Sequence, residues 1–158
     1  MNQFTLAAFS AERRIAAVTL FRGTQLEDTL LRHLPLDTTK ATGSVRELVT
    51  RALEHHRPQF VAISSPASKA GDRIRAFCKA VKEIANDLGI PAVEVTDRTL
   101  MCSYGYPPLT RKEHVRRAGR IIWPGLDEAK SKRAAVDAAV TGLYVQTERL
   151  FSIHSEQS

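Results

Sequence analysis

The apolar positions of the chain first fall into short runs. Phe4 to Ala8 and Arg14 to Phe21 are rich in β-branched and aromatic residues, and the polar Ser10-Ala11-Glu12-Arg13 lies between them. That pattern predicts a β-hairpin. After Arg22-Gly23, the stretch from Leu26 to Leu36 supplies a third strand, although Leu30-Leu31 and Leu34 also fit one helical turn. The period then changes: Val45, Leu48, Val49, Ala52 and Leu53 recur at helical spacing. Ser44-Val45-Arg46-Glu47 has the form of a capping box that opens this helix, and Pro58 marks its end. Phe60 to Ile63 follows as a short, fully apolar strand with Ser64-Ser65-Pro66 at its tip.

A second helix is expected with Asp72 as its cap, Ile74, Phe77, Cys78, Val81, Ala85 and Leu88 on its buried face, and Gly89 closing it. Pro91 to Thr96 reads as another strand. Strands alternating with helices imply parallel pairing through right-handed crossovers, added here to an antiparallel hairpin, so the sheet is mixed. From Asp97 to Pro108 the chain reads as irregular, with Tyr104-Gly105-Tyr106-Pro107-Pro108 as a loop signal. Thr110-Arg111-Lys112-Glu113 repeats the capping-box pattern and opens a short basic helix reaching about Ala118; Trp123-Pro124-Gly125 breaks the chain again. A last helix from about Glu128 to Phe151 carries Val136, Ala139, Val140, Leu143, Tyr144 and Leu150 along one stripe.

No repeat, low-complexity segment or linker divides the chain, so residues 1–151 read as one domain and 152–158 as a flexible tail. Of 158 residues, 43% are hydrophobic and 25% charged, the balance of a folded globule. No apolar run approaches the roughly 20 residues of a membrane helix, and Met1-Asn2-Gln3-Phe4 lacks the regions of a signal peptide. The expectation is a cytoplasmic protein with no membrane contact. Cys78 and Cys102 stand far apart with no histidines at metal spacing, so both read as free thiols, Cys78 as a small buried hydrophobe. A net charge of +6 and a pI near 9.7 favour an anionic partner, either nucleic acid or an acidic protein.

The order of an antiparallel three-strand start, then helix, strand, helix, strand and closing helix resembles the RNase H-like fold. Within it, the second half resembles RuvC-type resolvases. Gly89-Ile90-Pro91-Ala92-Val93, Arg111-Lys112-Glu113-His114-Val115 and Val136-Asp137-Ala138-Ala139-Val140 follow that family's "G-x-P-V" strand, "K-E-x-V" helix start and final helix bearing "D-A-A". The resemblance covers most of the chain as topology and some tens of residues as motifs. It implies an α/β domain with a mixed five-stranded sheet flanked by helices. It also implies a metal-dependent nuclease with carboxylates on the first strand, on the strand after the first helix and on the last helix. Two metal ions about 4 Å apart need several anionic oxygens to hold them over a phosphate.

The chain departs from that pattern. The first-strand ligand would lie near Ala7, Ala8 or Phe9, and the middle-strand ligand near Ile63, Ser64 or Ser65; none is a carboxylate. On the last helix Asp137 is the residual catalytic candidate, at the edge of the stripe. Arg133 one turn earlier would repel a metal and offers an i,i+4 ion pair instead. A relocated site from Glu12, Asp97 and Asp137 is the way to a magnesium or manganese cofactor; otherwise no metal or cofactor is expected. Glu94 alternates with Val93 and Val95 and should face solvent or a helix edge. His55-His56 ends a helix, where charge complements its dipole, and His33, His114 and His154 have no nucleophile partner in sequence. Neither a nucleophile elbow nor a glycine-rich phosphate loop is present.

Basic residues cluster three times: Lys69, Arg73, Arg75, Lys79 and Lys82 around the second helix, Arg111, Lys112, Arg116, Arg117 and Arg120 on the short helix, and Lys130, Lys132 and Arg133 at the last. The middle cluster follows Tyr104 and Tyr106 and precedes Trp123, so stacking faces and phosphate-binding cations can lie together. Tyr104, Tyr106, Arg111, Lys112, Arg116, Arg117 and Arg120 are therefore the candidate nucleic-acid contacts, and the resemblance places this segment near the substrate strand. A solvated basic helix beside a loop packed on the core reads the same residues equally well. Three functions follow: a nucleic-acid-binding module with a decayed nuclease site, a scaffold subunit or homodimer holding a protein, and a nuclease with relocated carboxylates.

Overall fold

The computed structural model describes residues 4–23, 25–65, 71–96, 99 and 133–157, the last helix with side chains at 134–146 and 148. Its elements are β1 (Thr5–Ala11), β2 (Ile15–Arg22), β3 (Gln25–His33), α1 (Thr38–His56), β4 (Phe60–Ser65), α2 (Asp72–Asp87), β5 (Ala92–Thr96) and α3 (Arg133–Gln157). The sheet order is β3-β2-β1-β4-β5. The first three strands are antiparallel neighbours, while β4 joins β1 and β5 joins β4 in parallel. This is the mixed five-stranded RNase H-like sheet that the element order implied.

Alternation along the strands divides the core in two. Ala7, Phe9, Val18, Leu20, Val61 and Ile63 pack beneath α1 and α2 with Val45, Leu48, Leu53, Phe77 and Val81. Leu6, Ala8, Ala17, Phe21, Ala62 and Val95 turn to the opposite face and pack against Ala134, Ala135, Ala138, Ala139 and Val140 of α3. Burying one phenylalanine such as Phe9 or Phe77 is worth roughly 1.5–3 kcal/mol, so both layers contribute substantially. Four alanines of α3 face this side of the sheet, where Ala8, Ala17 and Ala62 lie among the larger Leu6, Phe21 and Val95.

Several boundaries differ from the sequence reading for local reasons. Helix α1 starts at Thr38, not at Ser44: Asp37 is the cap, its Oδ1 accepting from the Lys40 amide at 2.9 Å. The apolar stripe begins at the fully buried Ala41, which the spacing of the larger residues passes over. The helix closes before Pro58 with Arg57 in the left-handed region (φ 45°), its amide donating to Leu53 O. Asp72 is the first residue of α2 and not its cap; Gly71 holds the cap position with no side chain to offer. Leu88 is exposed, while Ala80 and Ile84 are buried instead. The helix ends at Asp87, so Leu88 has left the 3.6-residue period, and Gly89 turns the chain with φ 71°.

Leu26 to His33 is strand throughout, with one irregularity where Leu20 and Phe21 oppose Asp28 and Leu26, leaving Glu27 as an extra residue. Helix α3 continues to Gln157 where a flexible tail was expected; neither glycine nor proline interrupts Ser152 to Gln157. The basic helix expected from Thr110 to Ala118 lies outside the described residues. Among the described residues no helix is long and apolar enough to cross a membrane.

Candidate functional site

The two central parallel strands, β1 and β4, decide which positions can meet the last helix. Of Ala7, Ala8 and Phe9, only Ala8 belongs to the α3 layer. Ser10 shares that face because it pairs with Ala17, which is packed against α3. On β4, Ile63 faces α1 and α2, whereas Ser64 pairs with Val95 of the α3 layer. Ser10 and Ser64 each lie one residue beyond the Phe9–Ile63 pair. They therefore sit side by side on neighbouring strands, about 5 Å apart in backbone spacing. Both are buried.

Two contacts fix the direction of α3 across these strands. Gln146 Nε2 donates to Phe4 O at 3.1 Å, beside the start of β1. Gly142 lies against Phe21, whose strand partner is Leu6. The helix thus runs antiparallel to β1. Asp137 precedes Gly142 by five residues, about 7–8 Å of helix rise, which is about two strand residues beyond Leu6. That places it over the Ala8–Ser10 end of β1. Asp137 is buried inside the stripe and not at its edge, 4% exposed. Its expected partner, the Arg133 side chain, lies outside the described residues.

Every buried polar residue among the described ones, Ser10, Thr19, Ser64, Asp137, Thr141 and Gln146, belongs to this one layer; Thr19 enters it opposite Ala8. The α1/α2 layer contributes none. The hydroxyls of Thr19 and Thr141 are wholly buried with no hydrogen-bond partner among the described residues, a costly arrangement away from water. Neither residue carried a sequence signal, because each sits inside an apolar run as a β-branched residue does.

The chemistry of this set is one carboxylate among neutral hydroxyls. A pair of divalent ions needs several hard anionic ligands, and Ser10, Ser64 and Asp137 supply a single carboxylate. The described residues of this layer do not by themselves fit a two-metal centre. No group of three or more histidine, cysteine, aspartate or glutamate side chains comes together among the described residues. Glu12 is in the β1–β2 turn, half-buried, and Asp97, the remaining member of the relocated set, lies outside the described residues.

Beneath β4, Cys78 Sγ donates to Ser64 O at 3.8 Å. Burial, reinforced by Glu94 and opposed by Lys82, pushes this thiol up to about 12. It stays protonated and braces the strand that carries Ser64. Glu94 itself meets a helix edge, 3.0 Å from Lys82 Nζ. His55 and His56 stack edge-to-face at the exposed end of α1, and α1 covers the sheet face opposite α3.

The basic residues of α2 are largely committed to structure. Arg75 pairs with Asp72 and Lys82 with Glu94. Arg73 donates from Nε to Arg13 O (2.8 Å), from its terminal nitrogens to Leu36 O (2.9 Å) and Pro35 O, and toward Thr38 Oγ1 (3.4 Å). Its guanidinium also lies over the Phe77 ring at 5.2 Å. Arg73 ties two loops to α2 and is not a free surface cation, a role that its place in a basic run concealed. Tyr104, Tyr106, Arg111, Lys112, Arg116, Arg117 and Arg120 lie outside the described residues, as do Lys69, Lys130 and Lys132.

Fold and site together define an RNase H-like domain with its polar residues gathered where β1, β4 and the last helix meet. No family model matches the chain, and no curated protein matches it by sequence. Solved structures do match. RuvC of Thermus thermophilus superimposes with a TM-score of 0.74 at 17% identity, over 94% of this chain and 97% of that one. The same organism's RuvC in complex with a Holliday junction substrate gives 0.76 at 17% identity, over 94% and 96%. The fowlpox virus resolvase bound to Holliday junction DNA gives 0.63 at 11% identity, over 93% and 99%. The chain thus shares the RNase H-like fold of RuvC and other Holliday junction resolvases along nearly its whole length.

Proposed function

We propose that this chain is a RuvC-like domain that binds branched or duplex nucleic acid and whose nuclease site is degenerate. The observation that carries the reading is the pair Ser10 and Ser64. The α3-facing ends of β1 and β4 hold the hydroxyls of Ser10 and Ser64 and no carboxylate, and among the described buried residues of this layer Asp137 alone supplies an acid. The net charge of +6 and the likeness to two structures solved with junction DNA support a nucleic-acid partner. The Tyr104 to Arg120 segment supplies the proposed contacts, aromatic rings for bases and guanidinium groups for phosphates. Neither a metal nor another cofactor enters this reading.

The test is binding and cleavage of four-way junction, duplex and single-stranded substrates in the presence of manganese, with Arg116→Glu/Arg117→Glu beside the wild type. Binding without cutting, lost on charge reversal and steeply weakened by salt, supports the proposal. Manganese-dependent cleavage abolished in Asp137→Ala would replace it with an active nuclease. No binding even at low salt would leave a scaffold role, checked by co-purification of a protein partner.

A further inference from the structure

The turn between β1 and β2 extends the site-bearing strand directly past Ser10, and its construction is unusual for a surface hairpin. Glu12 N donates to Ile15 O at 2.8 Å, closing the turn. The carbonyls of the next two residues are then each held from outside: Arg13 O by Arg73 Nε at 2.8 Å, and Arg14 O by the Leu34 amide at 2.7 Å. Arg73 reaches this position from α2, 60 residues along the chain, and spends its remaining bonds on the β3–α1 loop. Both guanidinium groups of the turn are exposed, and neither enters an ion pair among the described residues.

Among the described residues the charge around them is not cancelled. Arg73 is satisfied by neutral oxygens, so its own charge adds to those of Arg13 and Arg14, against one carboxylate in the turn, Glu12. Asp37 is occupied in capping α1 and Asp72 pairs with Arg75. A turn pinned at its carbonyls that presents two exposed guanidinium groups loses little backbone entropy on meeting a bidentate anion, and phosphate matches the guanidinium fork.

We infer that the β1–β2 turn is a backbone-phosphate clamp for nucleic acid, with Arg13 and Arg14 as the contacts and Arg73 as the residue that positions them. This rests on the nucleic-acid reading above and adds a contact surface on the strand that carries Ser10, separate from the Tyr104 to Arg120 segment. It reads no bases and contributes affinity without sequence preference.

The experiment measures binding of the full chain to a four-way junction and to duplex DNA across a series of salt concentrations, for wild type and Arg13→Gln/Arg14→Gln. Only the carbonyls of these residues are pinned, so the side-chain changes leave the turn's bonds in place, and a thermal melt checks that. Loss of two phosphate contacts lowers the slope of log K against log salt by about 1.8, at about 0.9 per phosphate, equally for both substrates. A second variant, Arg73→Lys, keeps the charge and loses the fork; its affinity falls while its salt slope stays that of the wild type. If the wild type binds with a steep slope and the glutamine pair has the same slope and affinity, the clamp is overturned and the nucleic-acid reading stands. If the wild type shows no salt-dependent binding, both fall together.

Discussion

Gly142 of α3 lies so close to the ring of Phe21 on β2 that a Cβ there would stand 2.3 Å from Phe21 Cε2. Phe21 is 2% exposed, so its ring has nowhere to swing. The contact sets how near α3 comes to the sheet, and with it the position of Asp137.

Gly142→Ala therefore pits two effects against each other. Alanine favours the helix by about 1 kcal/mol, but overpacking a full core costs about 1–3 kcal/mol. A separation this short against an immobile ring makes the second effect dominate. The variant should be destabilised by about 1–2 kcal/mol in urea unfolding, and Phe21→Leu in the same chain should recover part of the loss. An alanine variant as stable as the wild type would mean that α3 does not seat on Phe21.

Arg73→Ala removes the shared anchor of the β1–β2 turn and the β3–α1 loop. The freed carbonyls are near the surface and water replaces part of what they lose, so the expected cost is about 2–3 kcal/mol in thermal or chemical denaturation. Limited proteolysis of the native variant should cut faster at Arg13, Arg14 and the loop around Leu36. Unchanged protection there would remove Arg73's structural role.

Thr19→Val exchanges a wholly buried, unpartnered hydroxyl for a methyl of nearly the same shape. Valine suits a strand as well as threonine does, so stability should rise by about 1 kcal/mol. A fall would show that the hydroxyl has a partner in solution.

The raised Cys78 thiol has two measurable consequences. Iodoacetamide at mildly alkaline pH should label the Cys78 peptide slowly in the native protein and quickly after unfolding. The unfolded thiol releases its proton near its ordinary value of 9.0 and the folded one near 12. Between these values the folded state holds the extra proton, so this group's contribution is constant below about pH 9 and lost as pH rises toward 12. Cys78→Ala should show a shallower alkaline loss of stability than the wild type, and equal slopes would contradict the burial seen here.

The chain's own pattern determined the element order and, through it, the mixed sheet. Period-two and period-3.6 apolar spacing depend on local backbone geometry, which a sequence carries directly; the hairpin, α1, β4, α2 and β5 were all legible for that reason. Boundaries were less so where small residues carried the signal, as at Ala41, or where the helix stopped, as at Leu88. That Ala7, Ala8, Phe9, Ile63, Ser64 and Ser65 include no carboxylate was equally plain in the letters. Only the tertiary structure decided which of the neighbouring positions face α3. One residue along a strand reverses the side chain, and no local signal separates Ala8 from Phe9 or Ser64 from Ile63. The same holds for Arg73 and the Arg13–Arg14 turn: their relation joins residues 60 apart in sequence, and a long-range hydrogen bond leaves no periodic trace in the chain that makes it.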